Sequence, residues 1–117
     1  MYLFPNHQEN FKFLLQKDGT HPNDIERKAL FYILAGYEEI TNQVDLFYDF
    51  QDRMIRIEDD EIATLSSSGK ALVQLGYNLY NNYPCGTVLE LFRNLDMLNV
   101  ELAINAINIR FRKTELK

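Results

Sequence analysis

Ser67-Ser68-Gly69-Lys70 is the stretch whose residue types come nearest to chemistry. Ser67 and Lys70 are three positions apart, so on a helix the amine would lie one turn from the hydroxyl and could draw off its proton. Enzymes that use this S-x-x-K pairing also carry S-D-N and K-T-G segments. Neither is present, since Lys113-Thr114 is followed by Glu115. Gly69-Lys70 also looks like the end of a phosphate-binding loop, which needs an earlier glycine and a Ser or Thr after the lysine. Those positions hold Thr64 and Ala71. The plain reading is a serine-capped helix start whose free N–H groups offer at most a weak anion seat.

The other reactive residues are scattered. His7, His21 and Cys85 lack zinc-ligand spacing, and Glu58-Asp59-Asp60-Glu61 lacks the alternation and glycine of a calcium loop. No metal, cofactor or catalytic residue is expected. Cys85, between Pro84 and Gly86, reads as a loop cysteine. As the single cysteine it forms no intramolecular disulfide and suits a reducing compartment. Tyr77, Tyr80 and Tyr83 recur every three residues among Asn78, Asn81 and Asn82. Tyrosine suits an interface, though the same spacing serves a core edge. Tyr77 is the one taken forward as a secondary partner contact.

Charge supplies the other candidate surface. The 117 residues carry a net −5, which argues against general nucleic-acid binding. Between positions 37 and 61, nine acids face only Arg53 and Arg56, a net of −7. From Arg110 onward the balance is +3, which suits a helix C-terminus. Asp49, Asp52, Glu58, Asp59, Asp60 and Glu61 are therefore the candidate contacts for a basic partner, set against the plainer reading of a solvated acidic segment.

These residues need helices to hold them. The length fits one domain, and a hydrophobic content of 46% is enough for a core. The longest apolar run, Ala29 to Ala35, is far short of the ~20 residues of a membrane span. With no signal-like start, a cytoplasmic protein is expected. Asn6 with Glu9 and Asn23 with Glu26 read as capping boxes of the first two helices. The second is apolar all round and should be buried, with Gly36 ending it at positive φ. Tyr37 to Phe50 reads as a third helix with Ile40, Val44, Phe47 and Tyr48 inward. Either a short hairpin turning at EDDE or an extended connection follows over 54–64.

Leu65 to Tyr83 reads as the scaffold helix, capped by Ser66, with Leu72, Leu75, Gly76 and Leu79 as its core stripe. Gly76 within that stripe implies that another backbone packs close there. Thr87 with Glu90 opens a short helix that turns Val88, Leu91 and Phe92 inward. Asp96 caps the last helix. Its main stripe is Val100, Ala103, Ile104, Ile107 and Phe111, with Leu102, Ala106 and Ile109 as a second apolar side.

The segments ERKALFYILAG (26–36), SSSGKALVQLGYNLYN (66–81) and LDMLNVELAINAINIRF (95–111) resemble an uncharacterised family of small proteins from Firmicutes bacteria and their prophages. The resemblance implies a helical fold and a bacterial or phage cytosolic setting, and it transfers no catalytic residue. Within it, Asn105 and Arg110 are expected to make a polar link to the 65–83 helix.

The expectation is thus one all-α domain of five to six helices with a very short β-hairpin near 54–64. Its function would be non-enzymatic binding of another protein through the acidic surface. The alternative is a nucleic-acid role, either DNA mimicry by the acidic face or direct contact through Arg110, Arg112 and Lys113. Leftover apolar or tyrosine surface would favour a homodimer.

Overall fold

The structure is a computed structural model that describes residues 2–57 and 59–112, with the side chain of Asp59 also outside the description. Among these residues it is an all-α domain with one two-stranded hairpin. The elements are α1 (His7–Asp18), α2 (Ile25–Gly36), α3 (Glu38–Thr41), a 3-10 turn (Val44–Leu46), β1 (Tyr48–Asp49), β2 (Met54–Ile55), α4 (Asp59–Ala63), α5 (Ser67–Asn81), α6 (Val88–Phe92) and α7 (Met97–Arg110).

The centre is α2, not the 65–83 segment. Ala29 to Gly36 are all buried, and α1, α5 and α7 each pack against this helix. Its lack of a polar face leaves no other arrangement, because every side of it needs cover. The start of α2 differs from expectation. Asp24 is the cap, and its carboxylate accepts from Arg27 N at 3.0 Å. Asn6 caps α1 without using its side chain, because it sits in the left-handed region at φ 65°.

Gly36 closes α2 for a different reason from the one its type suggested. It is the last helical residue and is absent from the positive-φ positions. A Cβ there would lie 2.5 Å from Leu102 Cδ1 and 2.9 Å from His7 Nε2. Its missing side chain lets α1 and α7 meet α2 at one point.

The expected third helix breaks up. It yields the four-residue α3, the 3-10 turn and β1. Ile40, Phe47 and Tyr48 are buried as expected, but from three different elements. The short hairpin is present with a different register along the chain. Tyr48 pairs with Ile55 and Asp49 with Met54, so residues 50–53 make the turn. Asp49 Oδ1 accepts from the amides of Gln51 and Asp52 at 2.9 and 3.0 Å, which favours the turn there. The acidic run instead enters α4.

Caps on the later helices follow the sequence. Ser66 accepts from Gly69 N, Thr87 from Glu90 N and Asp96 from Asn99 N. In α5, Leu72, Val73, Leu75, Gly76 and Leu79 are buried, and Asn82 ends the helix at φ 67°. Gly76 meets the side chains of Leu30 and Ile33 on α2, not another backbone. Val88 of α6 faces out, while Leu91 is buried.

On α7 the two apolar sides exchange roles. The buried residues are Asn99, Leu102, Ala103, Ala106 and Ile109. The stripe expected inside is largely outside, with Ile104 46% and Phe111 61% exposed. The expected polar link is half realised. Arg110 Nε donates to Leu79 O at 2.7 Å on α5, but Asn105 donates to the hydroxyl of Tyr32 on α2.

Candidate protein-binding surface on the hairpin and helix α4

A buried carboxylate organises this region. Asp18, at the end of α1, has a fully covered side chain. Arg53 grips it with two bonds of 3.1 Å, Nε to Oδ1 and Nη2 to Oδ2. The hydroxyls of Tyr48 and Thr20 each donate to it at 2.5 Å. Arg27 on α2 completes the network. Its Nε donates to the Tyr48 hydroxyl at 3.0 Å, its Nη2 to Arg53 O at 2.8 Å, and its Nη1 pairs with Asp24 at 2.8 Å.

Burial would raise the Asp18 carboxyl, but the bonds from Arg53, Thr20 and Tyr48, with the positive charge of Arg53, hold it below its ordinary value. For Tyr48, burial and the adjacent Asp18 push the phenol up. Thus Asp18 is an anion and Tyr48 a neutral donor at ordinary pH. The network ties the hairpin to α1 and α2 through one charge. Arg53 reaches it from the left-handed region, at φ 56°.

The other side of the hairpin is pinned by α5. Tyr77 is fully buried, and its hydroxyl donates to the carbonyls of Phe47 and Arg56. This corrects the expectation of a partner contact at Tyr77. The phenol bridges backbone on both sides of the hairpin, where an unpaired carbonyl would be costly. Arg56 also donates to Asp45 O at 2.8 Å and pairs with Asp49 at 3.6 Å.

On this held base, the acidic candidates divide. Asp49 is half-buried and occupied by its own turn and Arg56. Asp52 and Asp60 are exposed, Glu61 is half-buried, and none of the three has an ion pair among the described residues. Glu58 and the side chain of Asp59 lie outside the described residues. Sequence reading missed two apolar side chains in the same stretch, Met54 at 54% and Ile57 at 52% exposure. The expected hairpin arm 54–57 did include both, but with its turn placed at EDDE it did not show which side chains face out; β2 is Met54–Ile55, and Ile57 lies beyond it.

The SSSGK start is also resolved. Glu39 of α3 lays its carboxylate on the first turn of α5, accepting from Ser66 Oγ at 2.8 Å and Ser66 N at 3.1 Å. A Cβ on Gly69 would stand 2.2 Å from that carboxylate. The anion seat is real, and the chain fills it itself. Ser67, Lys70, Cys85 and Glu90 do line one groove of about 220 Å³. No hydrogen bond joins Ser67 or Cys85 to Lys70 or Glu90 there, and Glu90 is instead bound by Thr87. Burial raises the Cys85 thiol, opposite to what a nucleophile needs. Among the described residues no group of His, Cys, Asp and Glu is placed to hold a metal ion. No helix there is long and apolar enough to cross a membrane.

At the basic end, Arg110 is engaged by Leu79 O and lies 5.9 Å from the Phe111 ring centroid, and Lys113 is outside the described residues. That leaves Arg112 as the one described cation of the three without such a contact. Among curated proteins and solved structures, none matches this chain. The model of a family of unknown function (DUF6075) matches residues 1–116, nearly the whole length, and the chain belongs to that family.

Proposed function

We propose that this is a small non-enzymatic accessory protein, of bacteria or their prophages, that binds another protein through the segment 52–61. The setting rests on the sequence resemblance. The carrying observation is that Met54 and Ile57 stand more than half exposed between Asp52 and Asp60, on a hairpin pinned from both sides. Exposed apolar side chains flanked in sequence by acids that have no ion pair among the described residues suit a partner with an apolar contact and basic groups beside it. The pinning means little ordering is left to be done on binding. A protein role ranks above nucleic-acid contact because Arg110 is already engaged.

The test is affinity capture from the source cell with two variants. Met54→Ser with Ile57→Ser removes the apolar contacts, and Asp52→Asn with Asp60→Asn and Glu61→Gln removes the charge. Both sets lie on the surface and should leave the melting temperature within a few degrees. The first is expected to abolish capture. The second should weaken it and flatten its dependence on salt. Undiminished capture by both variants would overturn this reading.

A further inference from the structure

The buried helix α2 ends on a cavity of about 530 Å³, shared with α3 and the start of α1. Volumes of this order are usual for sites that hold small organic molecules. The last carbonyls of a helix have no intrahelical donor and need another. On α2, Leu34 O takes the Thr41 hydroxyl at 2.6 Å. The amides that follow turn elsewhere, Ile40 N and Thr41 N to Tyr37 O and Asn42 N to Glu38 O. Ala35 O and Gly36 O are left without a donor among the described residues, and both residues line the cavity. The last turn of α2 holds no basic residue, so no side chain there offsets the negative end of its dipole.

We propose that this cavity binds a primary ammonium group carried on a short alkyl chain. The one charged residue of its lining is Glu38, which has no ion pair among the described residues. An ammonium brings three N–H donors and a positive charge, which two helix-end carbonyls and a carboxylate are suited to receive. Asn6 and Asn10 add amide oxygens from α1. Asn6 lies in the left-handed region, and its side chain makes no capping bond to α1, so its amide is free for a ligand. Phe4 and Tyr37 give aromatic surface on which an alkylammonium can rest. An anion would meet a like charge and the wrong end of a helix dipole. The cavity shares no residue with the segment 52–61, so it stands apart from the protein-binding role.

An NMR titration of the isotope-labelled full chain, at neutral pH and low salt, tests the proposal. The probes are n-butylamine, putrescine and Nα-acetyl-lysine amide, taken through the millimolar range. Saturable shifts are expected at the amides of residues 6–10 and 35–42, around the cavity. Tighter binding of putrescine than of the lysine derivative marks a free amine as the source, and the reverse order marks a lysyl side chain. Butanol, which has the alkyl chain without the charge, should give no saturable shift. Glu38→Gln, at an exposed position, should weaken amine binding about fivefold, as for an ion pair open to solvent on one side. Asn42→Lys, also exposed, brings an ammonium of the chain's own to the cavity and should abolish binding. Both variants should keep the dispersed spectrum of the wild type. No saturable shift with any amine, shifts that lie away from the cavity, an equal response to butanol, or undiminished binding by both variants would overturn the proposal.

Discussion

At the scale of single residues, Asp18 holds more of the structure than any acid on the surface. Among the described residues it is the one carboxylate that joins α1, α2 and the hairpin, through Arg53, Arg27 and Tyr48. Asp18→Asn would keep the shape and remove the charge. Breaking a buried pair typically costs ~3–5 kcal/mol. Arg53 is partly solvated and Arg27 keeps Asp24, so a loss of roughly 2–3 kcal/mol is expected. Urea unfolding measures it, and a midpoint within error of wild type would show that the network is not what fastens the hairpin. None of this was legible in sequence. Asp18 precedes Gly19 at a helix end, where an acid ordinarily means a turn. Its partners are up to 35 positions away, and no local pattern joins them. By contrast, Ser66, Thr87 and Asp96 were legible as caps, because a cap bonds an amide three residues on.

At the scale of elements, the two glycines in apolar helix faces should answer oppositely to the same change. Ala in place of Gly recovers about 1 kcal/mol of helix propensity. At Gly36 the added methyl meets Leu102 at 2.5 Å and His7 at 2.9 Å, where three helices cross. Overpacking of that kind costs ~1–3 kcal/mol, so Gly36→Ala should lower stability on balance. At Gly76 the nearest atom is the end of the Leu30 side chain at 3.2 Å, which can move aside. Gly76→Ala should then fall within about 1 kcal/mol of wild type. Thermal unfolding of the two variants side by side decides the matter, and an equal loss at both would mean that α5 is as tightly seated as α7. Helix identity was readable because α2, α5 and α7 are long and strongly apolar. Residues 37–57 were not, because Ile40, Phe47 and Tyr48 fit a helical face yet reach the core from a short helix, a turn and a strand. On α7 both faces are apolar, so periodicity alone had no means of choosing the buried one.

At the scale of the whole molecule, two buried groups couple the fold to pH. His7 is fully enclosed, and both of its ring nitrogens are in use. Leu3 N donates to Nδ1 at 3.3 Å, so Nε2 carries the proton and donates to Tyr32 O at 2.9 Å. Burial lowers the His7 pKa from its ordinary 6.5, against the Tyr32 carbonyl that works to raise it. Below 6.5 the unfolded chain therefore takes up a proton that the folded chain refuses, and stability falls as pH falls toward the lowered value. Asp18 acts further down. Its carboxyl is held below 3.8 in the fold, so its contribution is complete above that value and disappears as pH falls through the lowered one. The urea midpoint should decline in two stages, the first beginning below 6.5 and the second below 3.8, with Asp49 adding to the second because its turn amides lower it too. His7→Gln should remove the first stage and leave the second. A wild-type midpoint that stays level from neutral pH down to the carboxylate range would mean that His7 accepts its second proton without disturbing the junction of α1, α2 and α7.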